Sequence, residues 1–199
     1  MRALIRTLVF PLSAAVAVAT TPVATADPVI PLNWSITGTT TLAKPGLVVP
    51  IPAGAKFAGQ IDLADWKITG TTTIPDLVVK GRLFNLLPYT AVVRQVSTKP
   101  LEGGIVDGQA KVTRYFRLKI VKLSLDATPY LNLVPPGCGT SADSVSTLTN
   151  TTPIDLFKPI GMAGTYAVPS FSYCGLLTPT LTLLMSGSGN RMDLTFTPA

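Results

Sequence analysis

Histidine is missing from all 199 residues. That absence removes Ser-His-Asp and Cys-His catalysis and the usual zinc sites in one step. Cysteine is nearly missing: Cys138 and Cys174 are the only two, and they are not spaced as C-x-x-C. No S-x-x-K pair, G-x-S-x-G elbow or phosphate-binding glycine loop occurs. Charge is sparse at 13%, while 47% of residues are hydrophobic. Disordered chains show the reverse balance, so this one has the means to bury a core. Carboxylates are too scattered to suggest an acid pair. Asp62 and Asp65 flank an expected hairpin turn, where Asp serves the backbone, and Asp126, Asp143, Asp155 and Asp193 fall at strand ends or loops. No dense Asp/Asn loop suggests calcium. The residues predict no enzyme, no cofactor and no metal.

The N-terminus has the three-part layout of a secretory leader. Arg2 and Arg6 precede a short apolar run, Leu8 to Ala19, and Ala24-Thr25-Ala26 is a cleavage signal. The run holds Pro11 and is too short to span a bilayer core. Residues 1–26 are therefore expected to leave as a signal peptide. Residues 27–199 then form a single domain, secreted or held in the cell envelope, with no apolar run of membrane-spanning length. Outside the cytoplasm disulfides persist, and two cysteines allow one intrachain bridge, Cys138 to Cys174. Basic residues number 16 against 10 acidic ones, for a net charge of +6. Losing Arg2 and Arg6 lowers that excess to +4, too mild to name a partner.

What is abundant is β-branched sequence broken by Gly and Pro. The hexapeptide Ile-Thr-Gly-Thr-Thr-Thr occurs at 36–41 and again at 68–73, each time just after a tryptophan, Trp34 or Trp66. A looser echo runs from Gly164 to Phe171. Both tryptophans are expected to be core anchors. Residues 56–64 alternate, with Phe57, Ile61 and Leu63 on one face and Lys56, Gln60 and Asp62 on the other, so 56–73 reads as a hairpin. The longest strand puts Val112, Phe116, Leu118 and Ile120 on one face together with Arg114, and Lys111, Thr113, Tyr115, Arg117 and Lys119 on the other. One stretch departs from β. Thr178 is placed as an N-cap, Pro179 fits the first turn and Gly187 the end, predicting a two-turn helix over 179–186. Ser188-Gly189-Asn190 then turns the chain into a last strand, 191–197. About ten short strands predict an all-β antiparallel sandwich or barrel with one short C-terminal helix and one disulfide.

Lys80, Arg82, Lys111, Arg117 and Lys119 project from the polar faces of their strands. If those strands pair, they form a basic face around Tyr115 able to meet an anionic wall polymer. The bland alternative is a solvated face that keeps an apolar protein soluble. Nucleic acid is not an expected partner of an exported protein.

The segment Phe171-Ser-Tyr-Cys-Gly-Leu-Leu-Thr-Pro-Thr-Leu-Thr-Leu-Leu-Met-Ser-Gly-Ser-Gly-Asn190, together with the Ala-Thr-Ala-Asp-Pro cleavage region, resembles a group of uncharacterised secreted actinobacterial proteins. These carry a Cys-Gly-Leu-Leu-Thr-Pro stretch and a Gly-x-Gly-Asn turn before their last strand. The resemblance implies export and carries over no functional residue. High apolar content without membrane spans, and a Leu-rich helix placed like a lid, predict a non-catalytic envelope protein holding an apolar ligand such as a lipid. A surface module contacting wall polymers and an envelope pore are the alternatives.

Overall fold

The computed structural model describes residues 28–83 and 86–199. The expected leader and Asn85 of the Asn85–Pro88 bend lie outside the described residues. Of the described residues 62% are strand and 6% helix, the class that the β-branched sequence predicts. The strands are β1 (Val29–Leu42), β2 (Leu47–Pro50), β3 (Lys56–Asp62), β4 (Lys67–Thr73), β5 (Leu77–Leu83), β6 (Leu87–Ser97), β7 (Leu101–Val106), β8 (Gln109–Leu125), β9 (Gly139–Thr140), β10 (Ser144–Asn150), β11 (Ile160–Val168), β12 (Phe171–Ser172) and β13 (Gly187–Pro198). A 3-10 turn (Gly175–Leu177) leads into α1 (Thr178–Met185) before the last strand.

Among the described residues all thirteen strands belong to one antiparallel sheet, and it closes on itself. The hydrogen-bonded path runs β10-β11-β13-β1-β3-β4-β7-β8, and β8 returns to pair with β10. Closure makes this a barrel rather than a sandwich. The first and last strands are neighbours in the ring, with Trp34 opposite Pro198 and Thr41 opposite Arg191.

Two long strands change partners halfway along, and this divides the interior. In β1, Val29–Ser35 pair with β3, while Thr39–Leu42 pair with β2. In β8, the first residues lie between β7 and β10, while Phe116–Leu125 pair with β6, which carries β5 beyond it. One half of the barrel is thus the full ring. The other is walled by β1, β2, β5, β6, β8, β11 and β13. Gly38 sits at the corner of β1 with φ 129°. Its carbonyl accepts from Ile51 N–H at 2.9 Å, joining the two pairings. A Cβ there would lie 2.1 Å from the Asp193 carbonyl oxygen. The second copy of the hexapeptide makes a similar close approach. Gly70 lies opposite Gly59 on β3, and both leave room for the Phe57 ring. The repeat thus puts a glycine where neighbouring backbones crowd.

β8 follows the alternation read from its sequence. Val112, Arg114, Phe116, Leu118 and Ile120 are buried, while Lys111, Arg117 and Lys119 are exposed. The tryptophan expectation holds only for Trp34, whose half-buried ring lies 6.3 Å from Phe57 and 6.2 Å from Phe196. Trp66 corrects it. It ends the β3–β4 turn at φ 56° and is 48% exposed. Asp62 and Asp65 hold that turn, accepting from the N–H groups of Ala64 and Lys67. The C-terminal turns also differ from expectation. Thr178 is the first helical residue and its Oγ1 accepts from Cys174 N–H at 3.1 Å. Ser188-Gly189-Asn190 belong to β13 itself, because Asn190 is buried and bridges Ala43 N–H to the carbonyl of Tyr166.

Cys138 and Cys174 form the expected disulfide, with Cα atoms 4.4 Å apart. It ties the Pro135-Pro136-Gly137 loop to the start of the helical segment. The closed loop spans 36 residues, for which chain entropy gives about 4 kcal/mol. A Cys138→Ala/Cys174→Ala variant is expected to lose about that much stability, read as a lower urea midpoint with a higher m-value, because the released unfolded chain exposes more surface.

Candidate functional site: an apolar cavity over a polar belt

Between β5, β6 and β8 on one side and β1, β2 and β11 on the other lies a cavity of about 510 Å³. Its walls follow from the alternation of each strand. Leu77 and Val79 come from β5, Tyr89, Ala91 and Val93 from β6, Leu118, Ile120 and Leu123 from β8. Leu42 and Val49 face them, and Val168 and Phe171 complete the wall. α1 covers one side through Leu181, Leu184 and Met185. Just past its end the Ser186 hydroxyl donates to the Pro169 carbonyl at 2.8 Å, and Thr182 Oγ1 accepts from Phe171 N–H at 3.0 Å, which docks the helix on β12. The lining also reaches two exposed cations, Lys44 and Arg82. Lys44 Nζ donates to the Leu183 carbonyl at 2.8 Å and so ties the β1–β2 turn to α1.

The boundary between the two halves of the interior is polar. Tyr166 Oη lies 2.8 Å from Thr40 Oγ1, and both side chains line the cavity with Gln95. Beside them Arg114 is buried at 3% exposure. Its Nε donates to Thr72 Oγ1 at 3.1 Å and Nη2 to Gln95 Oε1 at 3.4 Å, while Nη1 meets Met192 Sδ at 3.8 Å. The guanidinium carbon lies 5.3 Å from the centre of the Phe116 ring. Burial lowers the Arg114 pKa to about 10, which still leaves it charged at neutral pH, and burial raises that of the Tyr166 phenol. Beyond this belt the ring half is filled by Phe57, Phe196 and Met162. The space left there is about 30 Å³, room for no more than a water or two.

The five cations singled out in the sequence lie on β5 and β8, with β6 between them. Arg117 is paired with Asp143 at 2.8 Å. Lys119 lies opposite Arg94, which Asp76 holds at 2.7 Å. The guanidinium beside Asp76 keeps its carboxyl below the usual range, as Arg117 and the Thr98 hydroxyl do for Asp143. Lys80 and Arg82 sit on β5 beyond β6, and Lys111 is at the far end of β8, opposite Thr149 and Gly104. Tyr115 is stacked by Lys99 instead, 4.6 Å from its ring centre. Among the described residues no group of three or more His, Cys, Asp or Glu could hold a metal, and no helix is long and apolar enough to cross a membrane. The cavity itself was not visible in the sequence. The one hint of its floor was Arg114 on an otherwise apolar face. A scan against protein-family models and searches of curated proteins and of solved structures find no match to the chain.

Proposed function

We propose that this is a non-catalytic, extracytoplasmic protein that holds a lipid-like molecule inside the barrel. The observation that carries the reading is the apolar cavity of about 510 Å³ between the sheet and α1. It is within the roughly 300–1,000 Å³ common for ligand pockets. Burying an alkyl chain gains about 0.8 kcal/mol per methylene. Ten methylenes supply about 8 kcal/mol, micromolar binding before ordering costs. The disulfide is compatible with residence outside the cytoplasm. Native mass spectrometry of protein purified without detergent is expected to show an added mass that organic extraction removes. Absence of any adduct, together with failure of the extracted protein to bind palmitate or hexadecanol, rules the reading out.

A further inference from the structure

Among the described residues Arg114 has no counter-ion. The ion pairs among the described residues use Arg94, Arg117, Lys158 and Arg191, and every contact of the Arg114 guanidinium is neutral. A buried charge is ordinarily paired, because desolvation is costly and neutral partners recover only part of it. Guanidinium carries five N–H donors, and here the contacts are one ordinary hydrogen bond, one long one and a thioether. A second observation lies next to it. Ser144 Oγ and Ser146 Oγ are buried with no hydrogen-bond partner. Ser146 is opposite Arg114 on β8 and opposite Tyr166 on β11. Buried hydroxyls seldom go unpartnered without a reason. Ser146 and Arg114 are thus cross-strand partners, and Arg114 reaches the cavity floor through its contact with Gln95.

We propose that the ligand is a single-chain amphiphile with a small anionic head, carboxylate or phosphate. The head seats on the Gln95–Tyr166–Thr40 floor and balances the charge of Arg114, and the tail fills the apolar space under α1. This rests on the lipid-holding reading and adds the chemistry and direction of the ligand. The reverse orientation, with the head at Lys44 and Arg82, has less to hold it. Both are exposed, and water and salt screen an anion there.

Calorimetry on the lipid-extracted protein with palmitate, hexadecyl phosphate and hexadecanol tests it. At least one anion is expected to bind tenfold or more tightly than hexadecanol, and the better anion names the head group. Arg114→Met is expected to erase that preference, bringing the anions to the affinity of hexadecanol, whereas Lys44→Met/Arg82→Met keeps the preference. Gln95→Glu, nearly isosteric, builds a carboxylate onto the atom Arg114 already contacts. It is expected to abolish the anion preference and raise the Tm, and it decides the matter if Arg114→Met does not fold. Equal binding of anions and alcohol by the wild type overturns the proposal, as does a preference that survives Gln95→Glu or vanishes in the Lys44/Arg82 variant. If nothing binds, the lipid-holding reading itself fails.

Discussion

Ala91→Trp is expected to weaken binding of an alkyl-chain ligand at least tenfold while the barrel stays folded. Ala91 lies on β6 between Val79 of β5 and Leu123 of β8, and all three side chains line the cavity. An indole grown from this position enters empty space rather than packed side chains. The cost of about 1–3 kcal/mol usual for overfilling a core is then largely avoided, and the space is lost to the ligand. The same change at Ala110 is the contrast. Ala110 borders the small space of about 30 Å³ in the ring half, which cannot take an indole. Ala110→Trp should fail to fold or lose several kcal/mol, at the upper end of single-residue effects. Calorimetry with hexadecanol and urea unfolding read both variants. Unchanged affinity in a folded Ala91→Trp protein would place the ligand elsewhere.

Gly38→Ala should lower stability by about 4 kcal/mol, from two additive causes. The φ of 129° is a conformation that L residues avoid, at about 1–3 kcal/mol. The new methyl would also meet the Asp193 carbonyl oxygen at 2.1 Å, so β1 and β13 must separate, at about 1–3 kcal/mol more. Gly46 separates the two causes. Its φ is 63° and nothing lies within 4 Å of an added Cβ, so Gly46→Ala should cost only about 1–2 kcal/mol. Equal losses for the two variants would mean that backbone strain alone matters and that the strand contact has slack.

Local chemistry was readable from the residues, and long-range closure was not. The period of two put Val112, Arg114 and Phe116 of β8 on one side because the pleat allows nothing else. The single disulfide followed from having two cysteines. The choice between sandwich and barrel depended on β8 meeting β10 and β1 meeting β13, pairings between distant segments that alternation does not encode. Trp66 shows a second limit. Its repeat partner Trp34 is packed against Phe57 and Phe196, yet Trp66 falls one residue before β4, at a turn position with positive φ. Arg114 could be assigned to the inner face from its neighbours in sequence. Its lack of a counter-ion could not, since Thr72, Gln95 and Met192 arrive from three other strands.

β13 lies between β1 and β11, and this bears on how the molecule is born. Until residues 187–198 are available, the nascent ring has a gap, and the two bordering strands present bare N–H and C=O rows. Such rims recruit any extended chain nearby. Contacts this far apart in sequence also form slowly. A chain cut short before residue 187 should therefore aggregate rather than fold to a smaller barrel. The full-length chain is most vulnerable just before its final segment docks.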